Sequence, residues 1–153
     1  TKLNQGFLVG GNPYTNDNMD DDTPNGVLAG SVAAIDTDGT YRAADQTDDS
    51  DAVMGLFGLD AAGEPFESNR PKDHGKITLV SLGFHEVDLY ETHEEDMAGG
   101  TLSYQSGDVL YVSQWGLLSK EVSSVGNPSS LVVAIVEEAP SSSSSSMIIK
   151  LLV

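Results

Sequence analysis

The sequence predicts an all-β protein, a small β-barrel with an extended N-terminal arm and long acidic loops. Three observations predict it. Short apolar runs rich in β-branched residues recur along the chain. Gly, Pro and Asp clusters punctuate them, and no sustained 3.6-residue period competes. The length, 153 residues, suits one core, so the chain divides into an arm over 1–25 and a barrel over 26–153.

Each element follows in order. The stretch from Gly10 to Asn25 holds turn formers and acids and little to bury, so it reads as an arm or long loop. Val27 to Ile35 is apolar and unbroken by charge. Asp38-Gly39 is a hairpin turn signal, with Thr40 to Ala44 returning. An acidic loop, Asp45 to Asp51, leads to Ala52–Leu59, where Gly55 and Gly58 suggest a bulge or bend. A longer loop, Asp60 to Gly75, carries the basic cluster Arg70-Pro71-Lys72. Lys76 to Phe84 reads as one strand, and His85 to Glu91 alternates as a strand with one wet face. His93 to Gly100 could hold a short helix ended by Gly99-Gly100. Gly107 to Ser113 is a strand, Gln114-Trp115-Gly116 turns the chain, and Leu117 to Ser119 returns. Leu131–Val136 and Met147–Val153 are the remaining strands, joined through the six serines Ser141–Ser146, a flexible low-complexity hairpin loop. The total is about eight short strands, as a barrel or sandwich has.

Charge narrows the function classes. Asp and Glu number 24, Lys and Arg 7, and the formal net charge is −17. Affinity for nucleic acid comes from cations placed on phosphates, so no nucleic-acid partner is expected. An anionic membrane surface is disfavoured for the same reason, and no apolar run reaches the roughly 18 residues of a spanning helix. The N-terminal residues lack an apolar export signal, so the expectation is a protein made in the cytoplasm. The chain has no Cys, which removes disulfides and thiolate chemistry.

Candidate chemistry is sparse. His74, His85 and His93 show no HxH, HExxH or HxxxH spacing, and they read as solvated surface side chains. Asp36-Thr37-Asp38-Gly39 places its Gly too early for an EF-hand loop and fits a hairpin turn better. Asp17–Asp22 is at most a weak, unspecific cation binder. Glu86, Asp88 and Asp108 offer carboxylates, as any acidic β protein does. No GxSxG, P-loop or GxGxxG occurs. The expectation is a non-enzymatic protein with no catalytic residues, no metal and no cofactor. Trp115 is the single Trp; it is either an anchor on the barrel rim or an aromatic hot spot at an interface.

Three blocks together resemble a known family. They are Gly26–Val32 followed by Ala52–Gly58, then Gly107–Ser113 with Gly116–Ser119, then Leu131–Ala139 followed by a polar loop and Ile148–Leu152. This order is similar to the head decoration, or capsid cement, proteins of tailed phages. The resemblance covers roughly residues 26–153. It implies a β-barrel or β-tulip-like domain on the outer surface of the virion, bound to the major capsid protein. It further implies a homo-oligomer, most often a trimer. The expected partner-binding residues are Leu3, Phe7, Leu8 and Tyr14 on the arm, Arg70 and Lys72 in the basic cluster, and Trp115. A second expectation is a carbohydrate-binding or host-attachment β module, with Trp115, Tyr111, Tyr90 and Tyr104 as stacking faces.

Overall fold

A computed structural model describes residues 8–9, 27–58, 79–94, 99–121 and 131–153. Among them the chain is all-β. Ten strands are present: β1 (Leu8–Val9), β2 (Val32–Ile35), β3 (Tyr41–Ala43), β4 (Val53–Phe57), β5 (Leu79–Val80), β6 (Gly83–Val87), β7 (Val109–Val112), β8 (Leu118–Ser119), β9 (Ala134–Glu138) and β10 (Met147–Leu151). They form two five-stranded antiparallel sheets, ordered β1-β5-β4-β2-β3 and β6-β10-β9-β7-β8, one of them curled into a half-barrel. The architecture is therefore barrel-like.

The main core lies between contributions from both sheets. Val32, Ala34, Val53 and Leu56 come from the first sheet; Leu110, Leu118, Val136, Met147, Ile149 and Leu151 come from the second. Each large side chain here, fully withdrawn from water, stabilises the fold by roughly 1.5–3 kcal/mol. The first sheet is buried on its other face as well, where Ala33, Tyr41, Phe57 and Leu79 cluster with Val27. Burial on both faces explains why β2 reads Val-Ala-Ala-Ile without alternation. β10 alternates instead, with Met147, Ile149 and Leu151 buried and Lys150 exposed.

Two hairpins use one device. Asp36 N–H donates to Thr40 O and Gly39 N–H to Asp36 O, at 2.9 Å each; Ser113 N–H donates to Leu117 O and Gly116 N–H to Ser113 O, at 2.8 and 3.0 Å. Each is a three-residue loop whose final glycine has positive φ, +88° at Gly39 and +77° at Gly116. The predicted Asp38-Gly39 turn is present, and Asp38 Oδ1 also accepts the Thr40 N–H and Oγ1–H, at 2.9 and 2.7 Å.

The glycine expected to bend the Ala52–Leu59 run does so at Gly55. Pairing with β2 slips between Ala33 and Ala34, leaving an extra residue on β4. Gly55 has φ +132°, and a Cβ there would lie 2.2 Å from the Val80 carbonyl oxygen. β5 can therefore approach β4 this closely only because position 55 has no side chain.

The structure departs from expectation at two places. The run Lys76–Phe84 is not one strand. β5 belongs to the first sheet and β6 to the second, and the chain crosses between them at Ser81-Leu82. Gly83, with φ +116°, follows the crossing. His85 is not a solvated surface residue. It is 1% exposed, because the partner strand β10 turns Ile149, opposite His85, toward the core. Its Nε2 lies 3.2 Å from Ser81 O, while Nδ1 is buried without a partner. The segment expected to form a short helix, His93 to Gly100, lies partly outside the described residues, at 95–98; beside it His93 bridges Thr101 in antiparallel fashion. The serine loop joins β9 and β10 as expected. It is a hydrogen-bonded turn, with Ser141 and Ser144 exchanging backbone bonds of 2.8 and 3.2 Å.

Candidate functional site: an interaction surface

The β7–β8 hairpin positions Trp115. A polar clamp behind the tip fixes it. Ser113 Oγ–H donates to Glu91 Oε1 at 2.7 Å, and Ser113 Oγ itself accepts the N–H groups of Trp115 and Leu117, both at 3.2 Å. Ser113 and Glu91 are both buried. Glu91 N–H donates to Leu118 O, and Tyr104 Oη–H donates to Glu91 O at 2.5 Å. Burial and the nearby Glu91 carboxylate raise the Tyr104 pKa, so the phenol remains a donor. Val32 N–H donates to Gly116 O at 2.7 Å, which ties the tip to the first sheet. Held in this way, the Trp115 side chain is 63% exposed. At that exposure most of the indole faces solvent. Leu28, 59% exposed, stands on the turn that leads into β2.

A second exposed surface lies on the outer face of the sheet β6-β10-β9-β7. The register places it row by row. Lys150 sits between Phe84 on β6 and Ile135 on β9, and Ile135 pairs onward with Val109 on β7. The next row sets Ile148 between Glu86 and Glu138. Phe84 is 44% exposed, and Leu82 and Leu152 at one end of the face are exposed too. A monomeric sheet normally turns polar residues to water on such a face. Here Phe84 points out and His85 points in.

The acidic loop Asp45–Asp51 is organised by Arg42. Its guanidinium forms a fork on Asp48 with two bonds of 2.8 Å and reaches Asp36 at 3.0 Å. Burial pushes the Asp48 carboxyl up, but the Arg42 fork and the Asp45 N–H outweigh it, and its pKa is lowered. The same hydrogen bonds hold the Arg42 guanidinium firmly protonated. Lys120 bonds Asp108 Oδ2 at 2.9 Å and Ser103 O at 2.7 Å, and the Lys120 bond is the main cause of a lowered Asp108 pKa. These are structural clamps.

The sequence candidates fall as follows. Leu8 lies in β1, opposite Val80. Leu3, Phe7, Tyr14, Arg70, Lys72 and His74 lie outside the described residues. Glu86 and Asp88 are exposed, whereas Asp108 is paired with Lys120. Thr92 Oγ1 is 2.9 Å from His93 Nδ1. Among the described residues no group of three His, Asp or Glu could hold a metal ion. The stacking candidates do not converge, since Tyr104 is buried and Tyr90 packs edge-on against it with ring centroids 5.2 Å apart. Tyr90 Oη–H is also committed to Ser145 O. The outer face of the second sheet was missed, although the Lys in Met147–Leu151 marks which residues of β10 face out. No family model, curated protein or solved structure matches the chain.

Proposed function

We propose that this chain is a structural decoration protein that binds the outer surface of the major capsid protein in a tailed-phage head and stabilises the expanded shell. The observation that carries the reading is the presentation of large apolar side chains on a rigid β framework. Trp115 stands clear of a clamped hairpin, and Phe84 stands on a sheet face. Large apolar side chains held out to solvent from a rigid framework are what a protein-binding surface needs. The order of apolar blocks, similar to that of capsid cement proteins, supplies the partner class.

The physical action follows. Packaged DNA pushes a shell outward. A domain seated across capsomer seams adds buried area, about 800 Å² per partner for a standard interface. A homo-oligomer, with a trimer favoured, engages several shell subunits together, so modest contacts gain from effective concentration. The −17 charge keeps crowded copies soluble on the virion surface.

Purified chain added to isolated heads tests this reading. Saturable binding to expanded heads, absent from immature ones, is the expected result. A chain that ignores expanded heads at every concentration overturns it.

A further inference from the structure

The outer face of β6-β10-β9-β7 combines two chemistries. One end is apolar, with Phe84, Ile135, Val109 and Leu152 around Lys150, the one cation of this face among the described residues. The other end is acidic, with Glu86 and Glu138 both exposed and flanking Ile148. We propose that this face is the docking surface for a partner protein that presents an apolar patch flanked by Lys or Arg. The inference rests on the decoration reading for the partner's identity as a shell subunit, and it adds which face docks and what chemistry meets it.

Three arguments select that occupant. Charge complementarity is the first. The carboxylates of Glu86 and Glu138 flank Ile148 in the row beside the apolar end, without a described cation of their own row, so an incoming basic group finds carboxylate acceptors there. The second is the poor fit of another copy of this chain. A two-fold axis through the middle of the face would set Lys150 against its own symmetry mate. The third is size. Three strand spacings of about 4.8 Å by four residues of about 3.3 Å give a footprint on the order of 200 Å². That is well under the roughly 800 Å² per partner of a standard interface, so this face supplies one part of the contact, used together with others and repeated over a lattice.

The test uses the full chain and expanded heads assembled without it by the phage that encodes it. The variants are Phe84→Ser with Leu152→Ser, and Glu86→Lys with Glu138→Lys. All four side chains are exposed, and circular dichroism melting verifies that each variant folds. Each double variant is expected to bind heads about tenfold or more weakly, as loss of interface anchors does. Wild-type binding is expected to weaken with salt, and the charge-reversed variant to lose that dependence. Variants that bind as well as wild type, while wild type does bind, overturn the face and leave the decoration reading intact. Wild-type chain that ignores heads overturns the reading and the proposed partner together. Sedimentation of the free chain tests the other occupant. Self-association abolished by Phe84→Ser with Leu152→Ser assigns the face to a second copy. That result overturns the proposal.

Discussion

Gly55→Ala is a sharp probe of the first sheet. The new methyl would start 2.2 Å from the Val80 carbonyl oxygen, a backbone atom that no side-chain rotation can move. Relief requires β5 to shift from β4 by more than about 1 Å, since carbon and oxygen pack at roughly 3.4 Å or beyond. That shift breaks the pairs Leu56 with Val80 and Phe57 with Leu79, where Leu56, Phe57 and Leu79 are buried. Two lost ladder bonds cost about 1 kcal/mol each. The positive φ of +132° adds strain, about 1–2 kcal/mol for a non-glycine residue. The expected total is roughly 3–4 kcal/mol, or on the order of 10 °C in Tm for a chain of this size. Gly39→Ala is the control. It has a positive φ of +88° but open space around its would-be Cβ, so it carries the strain without the collision. The assay is thermal and urea unfolding followed by far-UV circular dichroism. Equal losses of stability in the two variants would refute the close approach of β5 to β4.

Further outcomes follow from the clamps. Ser113→Ala removes a donor from the buried Glu91 carboxylate and an acceptor from two N–H groups; a loss of about 1–3 kcal/mol is expected in urea unfolding. Asp48→Asn breaks the Arg42 fork and is expected to cost about 1.5–3 kcal/mol at pH 7. Its sign with pH is fixed. The Asp48 pKa is lowered in the fold, so the unfolded chain binds more protons in acid, and the contribution is present above the unfolded value near about 3.9 and lost as pH falls through the lower folded one. The variant's urea midpoint is therefore expected to fall less between pH 6 and pH 3 than that of wild type. Trp115→Ala, at a site 63% exposed, is expected to change stability by under about 0.5 kcal/mol while weakening head binding; the paired melting and binding measurements read both.

Much of the fold was legible because its signals are local. Asp38-Gly39 and Trp115-Gly116 specify their turns through a glycine at one required position, and the serine tract between two apolar runs specifies a hairpin. The main failures share a cause. Alternation along Phe84-His85-Glu86-Val87 gives the period of a strand but not its phase. Phase is set by β10, whose Met147, Ile149 and Leu151 occupy the core and force His85 inward and Phe84 outward. The same holds for the candidate surface. Trp115 was visible as a lone Trp in a turn, whereas the outer face takes one or two residues from each of four strands and exists only after they pair. The crossing at Ser81-Leu82 was hidden because only Ser81 interrupts the apolar residues on either side, and only the sheet assignment separates β5 from β6.

The position of β10 also shapes how the protein is made. β6 hydrogen-bonds to β10 and to no other described strand, and β10 lies between β6 and β9. On a ribosome, the segment carrying Phe84 emerges well before Met147–Leu151 is synthesised. Until then the second sheet has no centre, and β6 waits as an open edge with nothing to template it. Closing so distant a pair makes folding slow and leaves the nascent chain exposed to wrong partners in the interval. An abundance of carboxylates along the growing chain discourages those encounters, which gives the acidic composition a role before the finished molecule meets any partner.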